Sequence, residues 1–388
     1  MRFLDRYVGK IIIIALFCFQ SVDFLLPGRR KNTLSKGKIN NILIQKYFGI
    51  GSIINAIPLI NELKRGFPGA KIIFMTFSGH KELFDITKIA DEAIYINPSS
   101  LATFTNDTLK ALGKLFRTKI DVSIDLEFFS KFSMIMSFLS GSPIRVGLFA
   151  HFHARSLLLT HPVGFNHYKH ISRIYLAMTK PLGLEISEES YDLTLPSLYK
   201  EHCRDLETLI EGLCRHKIIV INVNASTLCN SRKWPMDNFI ELIDWMVGKY
   251  NNFTYVFIGS ENEAGYVNQV ISKCGNGNNC LINAAGKTGL GSLMVLLEKA
   301  FLLISNDSGP IHIAAGYKTN TAVFFGPETP ILYKPLNPNS LVFYKNLYCS
   351  PCLNVLDNKE YEECHEVQCM ERITVAEVID SIEKKFFD

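Results

Sequence analysis

Three short stretches in the second half of the chain carry residue types suited to holding an anion. Asn224-Ala225-Ser226 follows an apolar run and leads into Arg232-Lys233-Trp234-Pro235. Ser226 offers a hydroxyl, and Arg232 and Lys233 offer charge that could neutralise a diphosphate. Pro235 suits a first helical turn, so the same run also reads as a solvated basic loop before a helix. Asn306-Asp307-Ser308-Gly309-Pro310-Ile311-His312 follows a second apolar run. Pro310 again marks a helix start and Gly309 lets an anion approach the backbone. Free amides and the helix dipole favour negative charge there, with His312 near the first turn as a further donor. The plainer alternative is that Asp307 caps the helix. The third stretch, Gly259-Ser260-Glu261-Asn262-Glu263, places carboxylates where they could meet a ribose or base edge, or simply cap a helix.

In the first half, Asp125-Leu126-Glu127 ends an apolar run. Strand alternation turns both carboxylates to one side, with Lys131 and Ser133 close behind. Five histidines fall between 151 and 170, and His167-x-x-His170 could pinch an ion, although no carboxylates accompany them. Cys349-x-x-Cys352 followed by Cys364 and Cys369 could hold a structural zinc, against free thiols packed under a loop.

The elements that must position these residues alternate. In the first half, strands are expected at Asn41–Gln45, Lys71–Phe77, Ala93–Ile96, Val122–Leu126 and Arg145–Leu148. A helix is expected from Ser52 to Arg65, kinked at Pro58. The pattern weakens between His151 and Pro196. It resumes with strands at Lys217–Val223, Phe253–Ile258, Phe301–Ser305 and Thr321–Phe325, and helices at Met236–Tyr250 and Leu293–Lys299. Strand–helix alternation implies parallel sheets with ligands at the strands' carboxyl ends. With 388 residues, two such domains of about 150 residues or more each are expected, facing each other across a central cleft.

Residues 1–38 differ from the rest. Arg2, Arg6 and Lys10 precede the wholly apolar run Ile11–Phe19. From Arg29 to Lys46 there are six basic residues and no acidic one. No run of 18 apolar residues exists, so a transmembrane helix is not expected. The reading is an amphipathic or apolar helix lying on an anionic membrane surface, its basic flanks favouring the cytoplasmic face. An ordinary packed N-terminal helix is the alternative. A net charge of +4 is too small to imply a nucleic-acid partner. The third glycine of a dinucleotide fingerprint is absent, since Gly49-x-Gly51 is followed by Ile54, which ranks an oxidoreductase low.

Taken together, Asn41–Lys64, Asn222–Phe239, Ala284–Leu293, Ser305–Pro327 and the terminal cysteine segment resemble glycosyltransferase family 9, the heptosyltransferases of lipopolysaccharide core assembly. The resemblance spans nearly everything after residue 38. It implies an α/β fold of the GT-B type, divided into a 1–38 anchor segment with basic linker, a 39–190 acceptor domain and a 191–388 nucleotide-sugar domain. The implied reaction is inverting, metal-independent transfer of a sugar, heptose in the first instance. The donor would be a nucleotide-diphosphate sugar such as ADP-heptose and the acceptor a lipid-linked saccharide, with no cofactor required. By position, Ser226 and Lys233 resemble phosphate contacts; Asp307, Ser308, Gly309 and His312 resemble the diphosphate-sugar loop; Glu263, less so Glu261, resembles a nucleoside contact. The family's base is an Asp after the glycine turn, yet here Gly51 is followed by Ser52, and a hydroxyl alone is too weak a base at neutral pH. Glu127 or Asp125 is the nearest replacement. The alternative is a catalytically weakened, nucleotide-sugar-binding protein of the membrane surface.

Overall fold

The computed structural model describes residues 2–24, 39–149, 154–187, 191–198, 217–225, 229–275, 280–353, 364 and 366–388. The chain divides into two compact units, one through Asp192 and one from Leu193.

In the first unit, β1 (Asn41–Gln45), β2 (Lys71–Phe77), β3 (Glu92–Ile96), β4 (Val122–Asp125), β5 (Ile144–Phe149) and β6 (His161–Gly164) form one parallel sheet in the order β3-β2-β1-β4-β5-β6. Near-continuous apolar strands such as Lys71–Phe77 suit a sheet covered on both faces. The helices are α1 (Arg2–Phe24), α2 (Ile50–Ile54), α3 (Ile57–Gly66), α4 (Lys81–Thr87), α5 (Leu101–Thr118), α6 (Lys131–Leu139) and α7 (Ile171–Ala177). The single kinked helix expected from Ser52 to Arg65 is instead two helices broken at Asn55–Ala56. Pro58 sits in the first turn of α3, where its missing N–H removes no helical bond. The stretch 151–196, where periodicity faded, contains β6 and α7.

Helix α1 is docked on its own unit. Both Asp5 carboxylate oxygens accept from the Lys131 amide (3.0 and 3.2 Å) and Oδ1 also from Phe132 N (2.8 Å), so Asp5 caps α6 from outside. Ile13 is buried with Met134 and Leu158. Among the described residues, no helix is long and apolar enough to cross a membrane.

The second unit repeats the design. β7 (Lys217–Asn222), β8 (Phe253–Phe257), β9 (Leu281–Asn283), β10 (Leu302–Asn306), β11 (Asn320–Phe325) and β12 (Ser340–Tyr344) form a parallel sheet in the order β12-β11-β10-β7-β8-β9. Around it lie α8 (Met236–Lys249), α9 (Ala264–Lys273), α10 (Leu290–Lys299), α11 (Gly309–Gly316), α12 (Pro330–Tyr333), α13 (Gln368–Glu371) and α14 (Val375–Ile382). In both units the first strand lies between the second and the fourth. The point where strand order reverses therefore falls between β1 and β4 in one unit and between β7 and β10 in the other, and ligands gather outside strand ends at such points. Register places Gln45 beside Asp125 and Asn222 beside Ser305.

Candidate functional site

In the second unit, the residues at the ends of β7 and β10 tie the two strands together. Asn306 Nδ2 donates to the Val223 and Asn224 carbonyls (3.1 and 3.2 Å). Its Oδ1 accepts from the Trp234 amide at 2.8 Å. Arg232 donates to both the carboxylate and the carbonyl of Asp307, each at 2.5 Å. The loop is thus pinned at Arg232 and at Trp234, and Lys233 stands between the two pins. Trp234 is fully buried, stacked 4.3 Å from the Phe324 ring, with its indole N–H on the Ile373 carbonyl. The Lys233 ammonium lies 4.3 Å over the Tyr266 ring, and no carboxylate pairs with it among the described residues.

Helix α11 begins without a side-chain cap. Ser308 holds the capping position, but its Oγ accepts from Asn222 Nδ2 (2.8 Å) and lies 3.1 Å from the Asn306 carbonyl, to which it donates. Asp307 is turned to Arg232, so its expected alternative role as a cap is not what the structure shows. Pro310 has no N–H and the Ile311 amide bonds the Ser308 carbonyl at 3.3 Å, so among the described residues the Gly309 amide is the first-turn donor left without a partner.

Two expectations here need correcting. Arg232 is buried and its charge is balanced by Asp307; burial works against the cation, but Asp307 and Glu328 outweigh it and hold its pKa above the ordinary value. It organises the loop rather than offering free charge to a diphosphate. His312 is also buried, and burial lowers its pKa to about 4. It is a neutral imidazole at physiological pH and adds no positive charge. Glu263 follows the plainer reading: its Oε2 accepts from the Ser260 amide and hydroxyl (2.7 and 2.8 Å), closing a capping box. Ser226 lies outside the described residues.

In the first unit, the ends of β1 and β4 carry a buried charge network. Glu127 Oε1 accepts from the Tyr47 and Phe48 amides (2.6 and 3.1 Å) and Oε2 pairs with Lys46 Nζ at 2.9 Å. Asp125 Oδ2 binds Arg155 (2.5 Å) and the Ser133 hydroxyl (2.8 Å), and Oδ1 accepts the Glu127 amide (3.0 Å). Both carboxylates are fully buried. Burial raises the Asp125 pKa, and Arg155 partly offsets this. With every oxygen engaged and none exposed, neither has an accessible lone pair for an incoming hydroxyl. Here they hold Lys46, Arg155 and the 47–48 turn in place, so the expected base lacks an open oxygen. Gly51 is buried in α2 and Ser52 is half-buried, its amide on the Gly49 carbonyl at 3.0 Å.

Sequence reading missed three members of this network, Lys46, Tyr47 and Arg155, and a histidine that feels its charge, His80. A lysine directly after a buried strand, Gln45-Lys46, was the available signal. His80 follows β2, half-buried, with Nδ1 2.9 Å from the Thr76 hydroxyl; among the described residues its Nε2 has no partner. Burial and the Lys46 charge lower its pKa below the usual histidine value.

Of the expected metal sites, the four terminal cysteines lie near one another: burial first, and then the neighbouring thiols, raise the pKa of Cys352 and of Cys369. Yet among the described residues no three His, Cys, Asp or Glu side chains are grouped to hold an ion. Cys349, Cys352 and Cys364 are exposed and outside any disulfide, with Cys364 Sγ donating to the Glu366 carbonyl at 3.0 Å; Cys369 is buried, and burial raises its pKa to about 11. His170 caps α7 through Nδ1, His161 bonds Thr160, and His167 packs edge-on to Phe165. His151 and His153 lie outside the described residues.

The class of protein is thus one of two doubly wound parallel-sheet units, the second with an uncapped helix start at its switch point. The family model of glycosyltransferase family 9 (heptosyltransferase) matches residues 109–362, and the chain belongs to that family. It is a glycosyltransferase. It is 26% identical over 330 residues to lipopolysaccharide heptosyltransferase 3 of Escherichia coli K12, covering 80% of this chain and 90% of the relative. Its fold matches a family 9 glycosyltransferase from Veillonella parvula (TM-score 0.75, 19% identity, 92% of this chain and 99% of that one). It also matches the E. coli ADP-heptose lipopolysaccharide heptosyltransferase II (TM-score 0.69, 18% identity, 90% and 98%). The alternative of a protein without chemistry is not favoured.

Proposed function

We propose that this enzyme transfers heptose, with inversion and without a metal, from ADP-heptose to a lipid-linked saccharide of the lipopolysaccharide core type. The second unit, 191–388, takes the donor and the first, 39–190, the acceptor. The observation that carries this reading is the uncapped start of α11 beside Lys233, which stands between two pinned neighbours and has no counter-charge among the described residues. That helix start and the ammonium would stabilise the diphosphate as charge develops on departure. The Gly309 amide, with the Ser226 hydroxyl and the Ser308 hydroxyl turned from the Asn306 carbonyl, would complete the phosphate contacts, and the Glu263 carboxylate oxygen outside the capping box would meet the nucleoside.

The acceptor proton needs a base, and Ser52 is too weak. His80 fits better than the saturated carboxylates: with Nδ1–H donating to Thr76, its Nε2 lone pair is free, and its lowered pKa keeps it neutral. Peripheral association with the cytoplasmic face of the inner membrane, through residues 1–38, would keep the enzyme beside a lipid-linked acceptor.

The test is transfer from ADP-heptose to heptose-deficient core saccharide, with UDP-sugars and chelator as controls. Product formed from ADP-heptose at an unchanged rate in chelator is expected. Absence of transfer from any nucleotide heptose would sink the reading. His80→Gln should cut kcat by about 10²–10⁴-fold, with little change in acceptor KM and loss of the acidic limb of the pH profile; an unchanged kcat removes His80 as the base.

A further inference from the structure

A helix packed on a domain normally turns polar residues to water. Helix α1 does the reverse. Its inner face, Asp5, Gly9, Ile13 and Leu16, is the docked one. About half a turn away, at roughly 100° per residue, the outer face carries Val8, Ile11, Ile14, Ala15 and Cys18. All are exposed, Ile11 by 68%. Helix α5 shows a second apolar stripe: Leu101, Leu109 and Phe116 are each at least 60% exposed. The stripe lies on the flank away from Lys114, which pairs with Glu92 at the sheet edge, and so towards α6. Leu112, on the same flank, joins the cluster that includes Phe132 of α6, and Phe104 packs on Phe132 at 4.9 Å. Helix α6 in turn packs on α1 through Met134. The three helices therefore cover one face of the first sheet in the order α5-α6-α1, and both apolar stripes look outward from that layer.

Charge on α5 decides what covers it. Lys110 and Arg117, each next in sequence to a stripe residue, are exposed and bring positive charge to the same helix, while Asp107, its one acidic residue, turns its carboxylate to the Asn97 amide. An apolar strip bordered by cations suits the headgroup region of an anionic bilayer, where acyl chains take the apolar groups and phosphates the cations.

We propose that the outer surface of the α5-α6-α1 layer is a bilayer-docking plane, with α5 contributing alongside the N-terminal helix. This rests on the peripheral-membrane reading above and names its surface.

The experiment is flotation of the full chain with vesicles of equal parts phosphatidylglycerol and phosphatidylcholine, against phosphatidylcholine alone. Wild type is expected to float with the anionic vesicles. Leu109→Glu with Phe116→Glu should lower partitioning about tenfold, and Lys110→Ser with Arg117→Ser should lower it on anionic vesicles only. Turnover of a water-soluble acceptor should stay unchanged in both, showing the fold intact. If wild type floats and Ile11→Glu with Ile14→Glu abolishes flotation while the α5 variants match wild type, the two-helix plane is overturned and the N-terminal anchor survives. If wild type does not float, both fall. A change of oligomeric state in the α5 variants with unaltered flotation would assign the stripe to a second copy of the chain and overturn the proposal.

Discussion

The switch points of the two units share one plan and differ in what they leave open. Each buries an aspartate at the end of its fourth strand and pairs it with an arginine at 2.5 Å, Asp125 with Arg155 and Asp307 with Arg232. In the first unit the remaining charges close on themselves: Lys46 meets Glu127, and Glu127 also takes two backbone amides. In the second unit the aspartate–arginine pair is a clamp for a loop, while α11 starts without a side-chain cap and, among the described residues, Lys233 has no carboxylate partner. The same scaffold element thus saturates its charges in one place and, on the proposed reading, seats an anion in the other. What separates them is whether a second carboxylate follows the strand.

The largest effect expected from breaking this symmetry is on stability. Arg155→Met or Arg232→Met leaves a buried aspartate without its partner, at a cost of about 3–5 kcal/mol. Both tryptophans, Trp234 and Trp245, lie in the second unit. In denaturant unfolding, Arg232→Met should therefore shift the fluorescence transition, whereas Arg155→Met should shift only part of the circular dichroism signal. A fluorescence shift as large in Arg155→Met would show that the units do not unfold separately.

Next comes a pH effect confined to the second unit. The His312 pKa is about 4 when folded and about 6.5 when unfolded. Between these values the unfolded chain binds more protons, so stability falls as pH drops from 6.5 towards 4, by about 3 kcal/mol in total. His312→Asn should flatten that slope in fluorescence-detected unfolding; a retained slope would place the titration elsewhere.

Function separates the units further. Lys233→Ala should lower kcat/KM for the donor about 10²-fold or more, while leaving the unfolding midpoint within error. Steady-state kinetics that show no loss would mean the ammonium meets no substrate. The smallest effect on turnover is expected for Glu127→Gln, although unpairing buried Lys46 also lowers stability. The amide oxygen can still serve Tyr47 and Phe48, but Lys46 loses its counter-charge. A fall of about tenfold in kcat/KM for the acceptor is expected, equivalent to about 1.4 kcal/mol. A much larger fall confined to kcat would return the proton-taking role to Glu127 itself.

The second site was readable because its chemistry is local. A strand followed by Asn-Asp-Ser-Gly-Pro places cap, glycine and proline in consecutive positions, and helix starts depend on neighbours within four residues. The first site was half readable. Asp125 and Glu127 stand out as paired carboxylates, but the groups that saturate them come from Lys46, Tyr47 and Arg155, up to 81 residues away in the chain. Pro58 shows the same limit on a smaller scale, because a kink and a new helix start look alike until the preceding turn is seen to break.

By itself, the sequence determined the alternation of strands and helices, the two-unit plan, the family and the helix start after Asn306, since each is encoded in spacing and in short-range backbone hydrogen bonding. Only the tertiary structure decided which charges are free. Whether a buried carboxylate acts as a base or as a strut depends on how many donors converge on its oxygens, and those donors arrive from strands joined in space by the sheet, across distances in sequence that no local pattern records.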